Sequence, residues 1–396
     1  MDKLGTTREL PPDIFHPFSP FGRVNPYPAY GWLLVNAPVY PDKLTGLWLV
    51  TSHGGCSAAL RDPRFSAAQG QRLRVRDEAL PASMLTTDPP DHARLRRPGS
   101  LLLGPAALTA QMPLIEAEID RLISGLDPTA EADAVRDIGE PLAVAVLSRI
   151  LAIEPPQRAA FAVFAKRVAV NLDPLAGARA GAAGRQAVTE LTRWLEPHVA
   201  AVATASPGSP LARLAADPRL TRQEMLGILS LVVIGGFAPL AEFTGNALGR
   251  LLSPSGHLGD LGLAEAARAE TAADELLRLD GPIPFIARVA TGDIELEDGT
   301  LPAGARVLAV LAAANRDPRV FADPEEADLA RAPNPHLAFG AGPHFCLAAP
   351  MIRRVCALTL SRLAGRFPHL HATGPALRWA PAMLPRKLTA FGVRLT

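Results

Sequence analysis

With 396 residues, 40 basic and 39 acidic side chains and a formal charge of +1, the chain lacks the basic excess of a typical nucleic-acid binder. Its three cysteines, Cys56, Cys346 and Cys356, are too few for a disulfide framework, and its nine histidines show no zinc-type pairing. Hydrophobic residues make up 48% of the chain, enough for a sizeable core, and length alone suggests two or three domains.

The opening stretch MDKLGTTRELPPDIF carries no apolar run of signal-peptide length. The first 60 residues are rich in proline, glycine and aromatics, and WLVTSHGGCSAALRDPRF reads as a short strand followed by a short helix. Helical spacing of Ala, Leu, Arg and Glu then predicts helices over Ala107–Leu126, Ile138–Leu151, Arg185–Ala203 and Thr221–Leu252. Thr221 with Glu224 forms a capping-box start for the last of these. Its apolar stretch Leu231–Ala241 holds two glycines and a proline, and falls short of the ~20 residues of a membrane span. Strands are predicted at Phe285–Ala290, Asp293–Leu296 and Arg306–Leu311, with Asp298-Gly299 marking a hairpin. No repeat and no linker between Gly70 and Pro381 divides the chain. The reading is therefore one mainly helical domain, residues 1–396, with a small β part, in a reducing cytoplasm.

The most informative segment runs from His336 to Pro350. Gly340, Gly342 and Pro343 make a tight loop, and Cys346 then opens a helix predicted from about Leu347 to Leu363. A thiolate there is favoured by the helix dipole and by free backbone N–H groups, which suits a cysteine that binds a metal. A lone cysteine is otherwise most often a buried structural residue.

This segment resembles the haem-binding signature of the cytochromes P450, F-x-x-G-x-[HR]-x-C-x-G, with Phe339, Gly342, His344 and Cys346 matching and Ala348 in place of the last glycine. Glu275 and Arg278 match the E-x-x-R helix of that family; on residues alone they are an i, i+3 pair sharing a helix face. Asp88-Pro-Pro-Asp-His92-Ala-Arg94-Leu-Arg96-Arg97 is similar to its helix after the B–C loop, and Ala314–Pro318 and Val320-Phe321 also match. The resemblance extends from about Asp13 to Arg394. It implies a single large haem-enclosing fold and a haem b whose iron is bound by Cys346, next to Phe339 and Gly340. His92, Arg96, Arg288 and His344 would meet the propionates, a sound donor set for a buried dianion. It also implies electrons from NAD(P)H through ferredoxin reductase and ferredoxin, an oxidoreductase of the monooxygenase type, and a mid-sized hydrophobic substrate in secondary metabolism. The substrate pocket would be lined by Leu80, Met84, Leu85, Ile234, Gly235, Ile283, Phe285, Met383 and Leu384; each is equally readable as core. No membrane or nucleic-acid partner is expected, and the enzyme is expected to be a monomer. Arg94, Arg97, Arg353 and Arg354 are candidates for a basic patch facing an acidic redox partner, or for plain solvated helix faces.

One departure bears on the chemistry. Where the family carries A-G-x-[DE]-T, this chain has Gly235-Gly236-Phe237-Ala238-Pro239. The acid and alcohol that order the proton-supplying water are replaced by Ala238 and Pro239, neither of which can transfer a proton. Pro239 is expected to distort the helix. Glu242, one turn on, is a candidate displaced acid, or else an ion-paired or solvated carboxylate. Three readings follow: ordinary hydroxylation with protons from ordered water or the substrate; a nonstandard oxidation such as coupling, cyclisation or peroxide use; and a non-catalytic accessory protein. The peroxide-using members place an arginine before the proline, which Ala238 does not match. Glu326 stands where the family often has a third, basic member of the Glu275–Arg278 network, leaving that place to Arg331 or a backbone group.

Overall fold

The computed structural model describes residues 9–74, 83–172, 178–252, 256–374 and 377–396. The helices among them are α1 (Pro20–Val24), α2 (Tyr27–Asn36), α3 (His53–Arg61), α4 (Ala67–Arg74), α5 (Asp91–Leu103), α6 (Pro105–Ser124), α7 (Glu140–Ile150), α8 (Arg158–Val168), α9 (Ala178–Ala205), α10 (Pro210–Ala215), α11 (Arg222–Leu251), α12 (Ala266–Asp280), α13 (Leu311–Ala314) and α14 (Ala349–Arg366). The strands are β1 (Val39–Asp42), β2 (Leu47–Val50), β3 (Phe65–Ser66), β4 (Glu131–Asp133), β5 (Ile286–Ala290), β6 (Ile294–Leu296), β7 (Gly299–Leu301), β8 (Arg306–Ala309), β9 (His371–Ala372) and β10 (Gly392–Arg394).

Local chemistry sets the starts of the helices. Ser19, Ser52 and Ser209 accept the N–H groups of Gly22, Gly55 and Ala212 at the heads of α1, α3 and α10. Thr221 and Glu224 close the expected capping box on α11. Prolines occupy the first turns of α2, α6, α7, α10 and α14, where their missing N–H has no helical partner to lose.

α11 crosses the core, packed by α7, α8, α9 and α12, while α14 lies against α6 and α12. α11 is long and apolar enough to cross a membrane, yet 78% of its most apolar window is buried, as in a core helix. A five-stranded sheet stands beside the helices in the order β1-β2-β8-β5-β3, with β2 parallel to β8 and the other pairs antiparallel. β5 pairs with β8 so that Arg288 stands opposite Val307, which fixes where that guanidinium leaves the sheet. Smaller sheets join β4, β10 and β9, and the predicted hairpin β6–β7 turns at Glu297-Asp298, one residue earlier than the Asp-Gly signal suggests, with Gly299 paired to Leu296. One apolar cluster draws residues from Phe18 through Leu395.

Differences from the predicted elements are local. Ile138–Leu151 divides into a π-helical turn, Ala134–Gly139, and α7, because Gly139 passes α11 so closely that a Cβ would stand 2.3 Å from the Ala241 carbonyl oxygen. The strand predicted over Arg306–Leu311 ends at Ala309. The Val310 N–H donates to the Val50 carbonyl, and the Ala-rich run that follows turns into α13.

Candidate active site

Cys346 sits between a 3-10 turn, Gly342–His344, and α14. Gly340 (φ +71°) and Gly342 (φ +69°) supply left-handed backbone. At Gly342 a Cβ would also meet the Leu60 carbonyl oxygen at 2.4 Å, so α3 and the loop leave room for glycine alone. The loop is closed by the Cys346 N–H donating to the Phe339 carbonyl at 2.9 Å. α14 begins at Ala349, two residues later than predicted, so the cysteine precedes the helix instead of opening it. The consequence favours a thiolate, because the Ala348 and Ala349 N–H groups point back at the sulfur. Burial pushes the Cys346 thiol up; those N–H groups and the nearby Arg96 charge pull it down. Cys56 and Cys356 are buried thiols, and burial pushes both up strongly. The Phe339 ring lies under the Arg353 guanidinium at 5.2 Å.

Facing this loop is an unusual set of cations. His92 of α5 is 3% exposed and its Nε2 has no partner. Its ring lies 4.0 Å from that of His344. Arg288 is 2% exposed and donates to its own neighbour's carbonyl, that of Ala287, at 2.8 Å. Arg96 donates to the Phe345 carbonyl at 2.7 Å. Burial, then His92 and Arg288, drives His344 down to about 3. Burial likewise lowers Arg288 to about 10, and burial with the Arg96 charge lowers His92. The nearby carboxylate, Asp88, is already bound by the Ser66 hydroxyl and by the Ala67 and Ala68 N–H groups. Four buried or half-buried nitrogen groups therefore converge with no carboxylate to match them among the described residues, beside the Cys346 thiol. That is the donor set for a buried dianion carrying a thiophilic metal.

Comparisons with known proteins decide the family. A family model for cytochrome P450 matches residues 269–386. The chain is 30% identical to the cytochrome P450 monooxygenase PikC of Streptomyces venezuelae, over 93% of this chain and 91% of that one. It is 33% identical to the nocardicin C N-oxygenase of Nocardia uniformis subsp. tsuyamanensis, over 91% and 92%. The chain belongs to the cytochrome P450 family. Among solved structures, CxnD, a cytochrome P450 for C–S bond formation in chuangxinmycin biosynthesis, matches with a TM-score of 0.82 at 27% identity, covering 94% of each chain. This P450 is thus an enzyme of the monooxygenase type in a haem-iron family, and the orphaned His92 Nε2 and the unmatched Arg288 fit that group.

The helix that departs from the family pattern divides into two faces. Leu231, Gly235 and Pro239, spaced four apart, are accessible along one side of α11. Ala238, Glu242 and Gly245 lie on a buried side: a Cβ on Gly245 would meet Val135 Cγ2 at 2.3 Å, and Glu242 is 8% exposed. Glu242 is turned toward Lys387, whose Nζ is 3.8 Å from its Oε1, and its Oε2 is buried without a partner. Burial pushes Glu242 up to about 7; Lys387 opposes this, and Glu140 and Asp133 add to it. No interruption marks Pro239: α11 is continuous from Arg222 to Leu251. The lost bond to the Gly235 carbonyl is outweighed by apolar packing on both sides of it. Gly236 has a role the propensity argument missed: a Cβ there would stand 2.8 Å from Leu147 Cδ2, so it sets how closely α11 meets α7.

Of the expected pocket residues, Leu85, Gly235 and Ile283 are accessible or half-buried, whereas Ile234 (2%) and Leu384 (2%) are packed into the core. Phe285 meets the Phe18 ring edge-on at 6.4 Å, and Met84 covers Gly99. Leu80 lies outside the described residues. Glu275 and Arg278 form a fully buried pair at 2.7 Å. Arg331 adds a guanidinium at 3.1 Å from Glu275, and the Glu326 carbonyl accepts from Arg278 Nη2 at 3.1 Å. Asn334 and the Asp328 N–H complete the set, so neither buried charge is left unmatched. The basic patch is largely neutralised: Arg94 pairs with Asp91 and Glu224, Arg353 with Asp274, and Arg354 with Glu270 and Glu116.

Proposed function

We propose that this P450 oxidises a mid-sized, largely apolar natural-product intermediate, folding as one unit around haem b held through Cys346. The observation that carries this reading is the pairing of two guanidinium groups, Arg96 and Arg288, with two buried imidazoles, His92 and His344, without a carboxylate partner among the described residues, beside the Cys346 sulfur. When bound, a haem with a thiolate ligand supplies dioxygen activation, using electrons from NAD(P)H passed on by ferredoxin reductase and ferredoxin. The N–H groups of Ala348 and Ala349, with Arg96, partly offset the burial that raises the Cys346 thiol, and would favour its thiolate form as an iron ligand. His92, Arg96, Arg288 and His344 bind and orient the two carboxylates, whose charge in turn makes His92 and His344 better bases. Leu85, Ile283 and Phe285, with Gly235 and Pro239 of α11, exclude water from the pocket. The expected outcome is a thiolate-type Soret band for the ferrous carbon-monoxide adduct, abolished in Cys346→Ser. Protein that takes up no added haem would sink the reading.

The proton supply differs from the family's pattern. The accessible side of α11 carries no acid or hydroxyl at Leu231, Gly235 or Pro239. Glu242, poised near neutrality but turned toward Lys387, is the one acid within a turn of Ala238 on that helix, and it can hold a proton at Oε2. This arrangement supports a second reading, a nonstandard oxidation such as coupling or cyclisation, in which the substrate's own polar group delivers the protons or peroxide takes the place of dioxygen, electrons and protons. Ala238→Asp with Pro239→Thr is expected to change coupling of NADPH use to product, or the product distribution. Unchanged coupling and products with ferredoxin supplied would show that the relay argument is wrong.

A further inference from the structure

A narrow cleft opens between the N-terminal segment and the C-terminal loop, walled by Phe18, Tyr30, Phe285 and Met383 and carrying two arginines, Arg23 and Arg386. Arg386 is 5% exposed, yet its Nε has no hydrogen-bond partner, and among the described residues no carboxylate pairs with it or with Arg23. Its guanidinium lies over two aromatic rings, with Cζ 3.9 Å from the centre of the Trp379 ring and 4.9 Å from that of Tyr27. Its own backbone is pinned at both ends: the Arg386 N–H donates to the Pro282 carbonyl at 2.8 Å, and its carbonyl accepts from Asn246 Nδ2 at 3.0 Å. Arg23 is half-buried, with its Nε tied to the Phe18 carbonyl at 2.8 Å.

A buried guanidinium N–H without an acceptor is costly, and outside the haem-side set two other buried arginines avoid that cost. Arg278 has Glu275, and Arg316, also stacked on Tyr27 at 3.8 Å, has Glu325 and the Leu279 carbonyl. Cation–π contacts hold the Arg386 plane in place but satisfy none of its N–H groups. The fork is thus held in place by the rings, with its Nε desolvated and apolar walls beside it, the combination that recognises a carboxylate in two-point fashion.

We propose that this cleft is an anion-recognition subsite that takes the carboxylate of an amphiphilic organic acid on Arg386, with Arg23 as the second cation and the apolar body along Phe18, Tyr30, Phe285 and Met383. The link to catalysis rests on the reading that Phe285 and Met383 wall the substrate pocket; on that reading the substrate is an organic acid. The haem-loaded protein is titrated by calorimetry with sodium octanoate and with 1-octanol, while the low- to high-spin shift is followed separately. Octanoate is expected to bind about tenfold or more tighter than octanol, the size of a charge-assisted hydrogen bond. Arg386→Met should erase that preference, Arg386→Lys should keep part of it, and Arg23→Gln should weaken octanoate roughly threefold, as for a screened charge. An unaltered carbon-monoxide spectrum shows that each variant is folded; should Arg386→Met not fold, the lysine and Arg23→Gln variants decide. Equal affinity for acid and alcohol, or a preference that survives in folded Arg386 variants and Arg23→Gln, overturns the subsite. Arg386-dependent binding without a spin shift supports the subsite and counts against the placing of the substrate pocket.

Discussion

At Arg288 the side chain is buried, positively charged and, among the described residues, bonded only to the Ala287 carbonyl, so on the proposed reading its loss acts first on cofactor retention. Arg288→Ala is expected to speed haem transfer to an acceptor such as apomyoglobin by roughly ten- to a hundredfold, the range of a charge-assisted bond; absorbance at the Soret band follows it. Glu242 gives the opposite kind of residue. Its folded pKa, about 7, lies above the ordinary value of 4.5, so the native state binds more protons than the unfolded chain between those limits. The stability it contributes is complete below about pH 4.5 and is lost as pH rises through 7, a swing on the order of 2–3 kcal/mol. Glu242→Gln should therefore raise the melting temperature at pH 8 more than at pH 5. Equal shifts at both would show that Glu242 is not the titrating group. Glu118 runs the usual way. Arg158, Arg121 and Arg149 hold it down to about 2, so its contribution is present above its ordinary pKa and lost as pH falls toward 2.

Among the elements, α11 separates what periodicity carries from what packing decides. Its start was legible because Thr221 and Glu224 are a purely local device, and its length because apolar residues recur at helical spacing. The effect of Pro239 and the need for Gly236 were not legible, since both depend on α7 and on neighbours distant in sequence. Three glycines, two on α11 and one in the cysteine loop, give a test of that distinction. Gly235→Ala meets nothing nearer than Leu231 Cδ1 at 3.8 Å and should stabilise by up to about 1 kcal/mol through helix propensity. Gly236→Ala must displace the end of Leu147 and should cost about 1–2 kcal/mol. Gly342→Ala meets backbone at positive φ and should prevent haem incorporation altogether. Thermal melts and the ratio of Soret to protein absorbance rank all three. The cysteine loop was legible in the same local sense, through Gly340, Gly342 and Cys346. Which cations lacked anions was not, because that depends on Asp88 being bound by Ser66, Ala67 and Ala68.

For the molecule as a whole, the balance of 40 basic and 39 acidic residues is reproduced locally, since most of the arginines once assigned to a docking patch are paired with acids on neighbouring helices. Reduction by an acidic ferredoxin should then depend only weakly on salt, changing by roughly threefold or less across a moderate range of ionic strength. A steep fall, read by stopped-flow reduction under carbon monoxide, would show that Arg97 or residues beyond this set steer the partner. The fold class was legible because helix and strand signals agree along the chain; the pairing of surface charge was not, because Arg354 finds Glu116 across 238 positions and Arg362 finds Asp120 across 242.

The crowding of His92, His344, Arg96 and Arg288 has a consequence for making the enzyme in a cell. Until a dianion arrives, that corner of the protein buries two guanidinium charges without a counter-charge among the described residues and keeps its two imidazoles neutral, and a ligand that binds the folded form alone draws the folding equilibrium with it. The yield of intact enzyme should consequently track the supply of haem or of its biosynthetic precursors, and a culture starved of iron should accumulate degraded chain instead of a stockpile of apoprotein.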